Sequence, residues 1–423
     1  MGMNKKGKIH FAWWVLLGLS IMIGLARGGI NNAGGLFLTP VTQDLGIGMG
    51  SLTLYFSISS IATMIFLPIA GKMMAKYDIR ALLIAAIILQ AGSFAMFGFM
   101  HSVWGWYIFS VPMAIGSIFV AQMAGPVIIN RWFKKNNGLA MGIMMAAVGA
   151  FGAIIQPIAG DLISTQGWRH TYMILGVAAI VIVIPVVLLA IRMKPEDKGM
   201  LPYGMDGNQS DSASKSQPAD LNRGVTMAVA KKSLAFYALL LFFFFMTAIG
   251  SFAQHIAPYA IGLGYDIQFA GKVMGAFMIG MLVGALAFGF LTDKIGAKNT
   301  AIFSMLTGLI SIVLLIAVPE NRVLFSLAIG IFGFVTSSIG TLGPLVTSAV
   351  FGAKEYSQIF AAAAIGLALA GIVALPGYGF VFDLTGSYTI VLYTIIAMLL
   401  INIVLIILAF KGKKNLENAG LWN

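Results

Sequence analysis

Cysteine is absent from the 423 residues, which excludes disulfides, thiol nucleophiles and thiolate metal sites. Acids are scarce, with 14 Asp and Glu against 26 Lys and Arg. All fourteen lie in loops or near the ends of apolar runs, so no pair of carboxylates shares a depth where acid–base or nucleophilic chemistry could be built. Four scattered histidines form no cluster for a metal, and no cofactor is expected. No P-loop, dinucleotide fingerprint or H-E-x-x-H pattern occurs, so ATP hydrolysis has no motif to rest on. Charge as a whole is thin, at 9% of residues, where soluble domains carry about 25%.

What fills the chain is hydrocarbon. The apolar share is 59% and the mean hydropathy +0.94, and apolar runs long enough to cross about 30 Å of bilayer, roughly 20 residues each, recur along it. Spans are expected at about 11–39, 51–74, 81–100, 103–130, 138–163, 168–191, 233–262, 268–292, 299–318, 323–350, 356–382 and 388–410. The first run lacks a small-residue cleavage site, so it is expected to be a retained span. With the N-terminus inside, 22 of the 26 basic residues fall on the cytoplasmic side, and Arg169, Lys272 and Arg322 fall outside. This positive-inside asymmetry makes the net charge of +12 a record of topology. No nucleic-acid partner is implied, and both termini are expected in the cytoplasm of a bacterial-type inner (plasma) membrane. Arg27 alone stands at mid-membrane.

The sequence repeats itself. An offset of 218 takes Pro40 to Pro258, Gly46 to Gly264, Gly71 to Gly289, Lys76 to Lys294 and Gly125-Pro126 to Gly343-Pro344. After a one-residue slip, Pro157 pairs with Pro376 and Gly160 with Gly379. Such punctuation implies duplicated units. The expected fold is an all-α membrane protein with twelve transmembrane helices in two parallel six-helix pseudo-repeats. The halves are 1–192 and 232–423, joined by a polar cytoplasmic linker, 193–231, that is too poor in apolar residues to order itself throughout. Parallel halves related by an axis along the membrane normal place a binding site near the midplane between them, with access alternating by rocking.

Gly289-Phe-Leu-Thr-Asp293-Lys294-Ile-Gly296-Ala-Lys298 resembles the G-x-x-x-D-[RK]-x-G-x-[RK] loop of the major facilitator superfamily, at the position of its second copy. The first copy, with Gly71, Lys76, Asp78 and Arg80, is degraded: Ala75 replaces the acid and Asp78 the second glycine. The resemblance implies a cytoplasmic gating latch in which the acid meets a helix N-terminus, where a carboxylate is favoured. In the first copy only Asp78 is left to substitute. Asn130-Arg131-Trp132-Phe133, Gly138-Leu-Ala-Met-Gly142, Gly167-Trp168-Arg169, Pro195-Glu-Asp-Lys-Gly199 and Asp383-Leu-Thr-Gly386-Ser-Tyr388 are similar to segments of the monocarboxylate and oxalate/formate branch. The sequence departs from that branch in span eight, where Gly284-Ala-Leu-Ala-Phe288 holds no arginine, and in span eleven, where Ala361 to Ala370 holds no lysine. Oxalate is therefore disfavoured as cargo.

Ionisable groups inside a membrane are costly and functional by default. Around Arg27 the helical period aligns Ser20, Gly24, Asn31 and Gly34 or Gly35 on one face, suited to lining an aqueous cavity. Two roles are open to Arg27: receiving an anion, ideally a carboxylate through two parallel hydrogen bonds, or bonding backbone carbonyls beside Gly28-Gly29. In span seven, Thr247, Gly250, Ser251, Gln254 and Pro258 share a face. On a straight helix Gln254 and His255 stand about 15 Å outward of the Arg27 level. His255 is the candidate proton carrier, and a histidine bonded at a helix end is the equal alternative. Gln122, Thr336, Ser337 and Ser338 are polar at plausible depth, as ligand contacts or interhelical bonds. The substrate-binding candidates are Arg27, Asn31, Gln122, Gln254, His255 and Ser337. Glycines such as Gly142, Gly149 and Gly152 are expected to give close helix packing.

The expected activity is secondary transport of a small organic anion, a monocarboxylate first, by proton symport or anion exchange, in a monomer. The rival in the same superfamily is an exporter of hydrophobic or drug-like compounds. A rival of another class is a non-transporting sensor, which an output domain would mark.

Overall fold

Hydrocarbon offers no partner to a peptide group, so each apolar run must close its own hydrogen bonds as a helix. The computed structural model describes residues 10–205 and 223–422, and omits the side chain of Ala75. Ten helices in it are long and apolar enough to cross a membrane. Two of these, Asn137–Ala190 and Ile267–Ala317, run 54 and 51 residues, which unbroken would measure about 80 Å. Each breaks at a glycine in the left-handed region, Gly167 (φ 79°) and Gly296 (φ 78°), where a side chain would be strained. Division there gives twelve segments: α1 Phe11–Leu45, α2 Met49–Lys76, α3 Ile79–Phe99, α4 Val103–Trp132, α5 137–166, α6 168–190, α7 Leu234–Gly262, α8 267–295, α9 297–317, α10 Arg322–Phe351, α11 Tyr356–Thr385 and α12 Thr389–Asn418.

Sequence chemistry sets the ends. Asp78, Ser102, Ser233, Asp266 and Asn321 each accept a hydrogen bond from the first turn of the helix they precede, satisfying amides that the helix leaves orphaned. The repeat extends to backbone conformation. Gly46 and its counterpart Gly264 have φ of 64° and 89°, and Gly167 and Gly386 have 79° and 68°. Large apolar side chains such as Ile108, Val181 and Leu189 are exposed, as a lipid-facing surface requires.

The side bearing Lys76, Arg131, Lys298 and Lys354 is here the basic face, and the other the opposite face. The halves meet along α5 and α8 and along α2 and α11. Gly149 and Gly152 lie against Leu282 and Met278, and Gly160 against Gly271, so small residues bring the helices together. Gly142 faces open space instead, and the packing expected of it is corrected.

The two described ends of the linker are docked. Tyr203 bonds the backbone of Trp132, Lys134 and Lys135 at the end of α4 and packs on Trp13 and Phe133. At the repeat-related end of α10, Ala353 donates to Arg223 and Val225 to Phe351. Within 193–231 the described ends are thus held on the bundle; residues 206–222 lie outside the described residues.

Candidate functional site

The centre of the bundle holds a cavity of about 980 Å³. It is lined from α1 by Arg27, Asn31 and Asn32, from α4 by Gln122, and from α7 by Thr247 and Gln254; α2 and α11 supply most of the rest. Most of the α2 and α11 residues that line it, such as Thr63 and Leu67, Ala361 and Ala364, lie in the halves of those helices nearer the basic face, whereas Phe56, Ser59, Ser60, Gly371 and Leu375 lie in the other halves.

Arg27 reaches this space because α1 is not a regular helix there. Residues Gly24–Asn31 form a π-helix, a widened turn that recurs at functional sites. The cause lies in the neighbours. Gly28 presses onto Val148 of α5, whose carbonyl oxygen would collide with any Cβ at that position. Two amides mend the turn's carbonyls: Gln90 Nε2 donates to Ala26 O at 3.1 Å and to Asn31 Oδ1 at 2.9 Å, and Gln156 Nε2 donates to Gly28 O at 3.2 Å. Both glutamines are fully buried. A second π-helix, Ile118–Met123 in α4, carries Gln122, and Asn31 Nδ2 bridges to its flank at Ser117 Oγ, 2.9 Å.

Arg27 and Gln122 are exposed to the cavity. The ion pairs among the described residues are Arg169–Asp44, Arg322–Asp266 and Lys413–Glu417, all away from it. No Asp, Glu, Lys or His lines the cavity among the described residues. Arg27 is thus the one charged side chain facing it.

The other sequence candidates divide. Gln254 joins the cavity lining, outward of Arg27 as the straight-helix register places it, with its backbone against Gly35. A 3-10 turn at Phe252–His255 in α7 carries it, and Gln254 Nε2 donates to Asn31 O at 3.2 Å. His255 does not line it. It is fully buried, with Nδ1 2.9 Å from Tyr388 Oη and Nε2 2.9 Å from Leu375 O. The carbonyl must accept, so Nε2 carries the proton and Nδ1 takes the tyrosine's, which leaves a neutral ring satisfied on both sides. Ser337 also lies outside the cavity lining, donating to Phe334 O at 2.7 Å where α10 crosses Gly284 of α8. Thr336 bonds its own helix and Ser338 bonds Ser304. The continuous face expected on α1 is corrected as well: Gly24 packs on Phe151, Gly34 on Tyr55 and Phe56, and Gly35 on the Gln254 backbone. The wide turn shifts the register, leaving Arg27, Asn31 and Asn32 facing the space.

Toward the opposite face the halves are closed. Asp383 at the end of α11 accepts from Met49 N at 2.7 Å and Gly50 N at 2.8 Å, so it caps α2 of the other half rather than only its own turn. Thr53 and Gly50 pack on Gly379, and Ser57 Oγ donates to Ile372 O.

On the basic face Asp293 makes no hydrogen bond or ion pair of the latch implied by the loop motif among the described residues. Asp293, Lys294 and Lys298 are exposed, with Lys294 over the Phe290 ring, and Gly289 meets nothing within 4 Å. A Cβ added at Gly71 would meet only Met123 Cε, at 3.7 Å, and Lys76 stands over Tyr77. Asp78 does not replace a latch between helices: it caps its own helix, α3, through Arg80 N and Ala81 N. Arg80 ties α3 to the end of α6 through Ile191 O. Gly296 supplies the break between α8 and α9.

Sequence reasoning missed Gln90 and Gln156. The signal was present as an amide inside an apolar run, Ile87-Ile-Leu-Gln90-Ala91 and Ala153-Ile-Ile-Gln156-Pro157.

A bundle of membrane-crossing helices around a largely apolar central cavity that holds one guanidinium fits a membrane carrier. The chain belongs to the Major Facilitator Superfamily, whose family profile matches residues 16–275 and 240–419. It is 21% identical over 413 residues to the uncharacterized MFS-type transporter YcxA of Bacillus subtilis, covering 95% of this chain and 96% of that one. It is 25% identical over 358 residues to monocarboxylate transporter 12 of Mus musculus, covering 79% and 72%. Its fold is similar to that of a bacterial homolog of the human lysosomal transporter Spinster in an inward-facing, unoccupied conformation, with TM-score 0.67, 14% identity and coverage of 97% and 99%.

Proposed function

We propose that the protein is a secondary active carrier of a small organic monoanion, a monocarboxylate first, working by alternating access with the basic face in the cytoplasm. One observation carries this reading: the cavity presents a single unpaired guanidinium and no acid among its lining residues. One fixed positive charge balances one negative charge, and a planar fork of donors matches a carboxylate. The relatives named as monocarboxylate transporters support the same cargo class. Basic loops on one face orient the protein.

Exchange of one anion for another is the coupling that the lining groups support by themselves, because none of them but Arg27 ionises. Proton symport through His255 is the second reading. Its ring is sealed from the cavity, so it requires that opening of the opposite face bare the imidazole. An internal load of the cargo anion should accelerate uptake under exchange, whereas an imposed pH gradient should do so under symport.

The central test is uptake of labelled monocarboxylates into proteoliposomes by Arg27→Ala and Arg27→Lys. The alanine variant should lose uptake at least tenfold, since a charge-assisted hydrogen bond is worth about 1.5–3 kcal/mol. The lysine variant should recover part of it through charge without the fork. Undiminished anion uptake by Arg27→Ala refutes the reading, and transport of lipophilic cations would favour the drug exporter.

A further inference from the structure

The cavity is chemically lopsided. Its charge and free amide, Arg27 and Gln122, stand on α1 and α4 of the N-terminal half. Helix α11 contributes hydrocarbon alone: its side chains are cut short at Ala361, Ala364, Ala368 and Gly371 and stand longer at Ile365, Leu367 and Leu375. Phe56 and Met64 of α2 and Met113 of α4 extend the apolar wall, with the α2 hydroxyls Ser59, Ser60 and Thr63 between them. The exceptions on the C-terminal side, Thr247 and Gln254, are uncharged.

Size points the same way. A volume of about 980 Å³ lies at the top of the range, about 300–1,000 Å³, of sites that enclose drug-sized molecules. An acid of two or three carbons bound at Arg27 would leave the wall of α11 uncovered. An acid with an apolar body would cover it, and each methylene so buried multiplies affinity about fourfold.

We infer that the cargo is an amphipathic monocarboxylate whose carboxylate meets Arg27 and Gln122 and whose aromatic or branched-alkyl body lies on the short-side-chain wall of α11. This rests on the anion reading of Arg27 given above and specifies the rest of the molecule. The short residues of α11 then act in selectivity: they leave the space that the body fills.

The experiment uses the purified full chain in nanodiscs and in proteoliposomes, with acetate, butyrate, hexanoate and 3-phenylpropionate as probes and 3-phenylpropanamide as the uncharged control. Binding is read by thermal shift, since a ligand of the native state raises the melting temperature, and by competition against uptake of labelled 3-phenylpropionate. Affinity should climb from acetate to hexanoate by about fourfold per methylene, with 3-phenylpropionate among the tightest and the amide inert. Ala364→Leu and Ala368→Leu should lower the ratio of 3-phenylpropionate to butyrate affinity at least tenfold.

Equal affinity across the acids, with Arg27→Ala abolishing all of it, overturns the amphipathic body and leaves the anion carrier standing. Binding of the amide as tight as the acid, or of the acids by Arg27→Ala as by the wild type, overturns both. If the leucine variants fail to fold, the chain-length series on the unmodified protein decides alone.

Discussion

Asp383→Ala is expected to loosen the closed opposite face. In the structure both carboxylate oxygens of Asp383 are engaged, on Met49 N and Gly50 N at 2.7 and 2.8 Å, at the start of a 28-residue helix from the other half. Each half supplies what the other lacks: α2 leaves first-turn amides orphaned, and α11 brings the acid. The N-terminal end of a helix favours negative charge, and loss of such a cap costs about 0.5–2 kcal/mol. Asp383 is exposed, so water screens part of this, and about 1–2 kcal/mol is the magnitude for the cap and the charge together, a shift of roughly 5–30-fold in the closed-to-open ratio. Asp383→Asn keeps an acceptor oxygen without the charge and should fall between. The chain has no cysteine, so a single Thr53→Cys reports cleanly. Thr53 is fully buried against Gly379 at the α2–α11 contact, and a membrane-impermeant thiol reagent added at the opposite face reaches it only when that contact parts. Its labelling rate scales with the open fraction and should rise about 5–30-fold in Asp383→Ala. A rate unchanged in a folded Asp383→Ala protein would refute the idea that this cap helps hold the halves together.

Two further outcomes test the irregular turn of α1. Gln90→Leu removes both bonds that Gln90 makes, to Ala26 O and Asn31 Oδ1; it should destabilise the protein by about 1–2 kcal/mol, read as a lower melting temperature in detergent, and weaken monocarboxylate affinity by freeing Asn31. Gly28→Ala should be far more damaging than Gly29→Ala, by size-exclusion profile and melting temperature. A Cβ at Gly28 would strike the Val148 backbone of α5, whereas at Gly29 it would meet Ile155 Cδ1, a movable side-chain end, at 3.0 Å.

The spans were legible because hydropathy is a property of each run, and the duplication because turns need glycine and proline at fixed places. Gly46 and Gly264, or Gly167 and Gly386, keep positive φ in both halves. Arg27 was legible for a related reason: a guanidinium in an apolar run is costly at any rotation of its helix, so its presence is informative before its surroundings are known. Its surroundings were another matter. The irregular turns that carry Arg27 and Gln254, a π turn in α1 and a 3-10 turn in α7, were not read from the sequence. The π turn is not written in Gly24-Leu-Ala-Arg-Gly-Gly-Ile-Asn31 alone. Glycines permit it, but the Val148 carbonyl that excludes a side chain and the amides of Gln90 and Gln156 that take up the carbonyls of Ala26 and Gly28 come from α3 and α5.

His255 shows the same limit from the other side. Its depth was readable, yet depth does not tell a ring facing a cavity from one held between Tyr388 and Leu375 O. A charge in a span declares a function by what it would cost anywhere in lipid, whereas a buried amide or a neutral imidazole is stable only with particular partners, and those partners are chosen by the fold. For the carrier proposed above it follows that selectivity is divided between one residue visible in the sequence, Arg27, and a set of helix irregularities that only the packed bundle creates; substitutions at Gln90 or Gly28, which flank Arg27 without lining the cavity, should therefore alter anion affinity as surely as substitutions in the cavity wall.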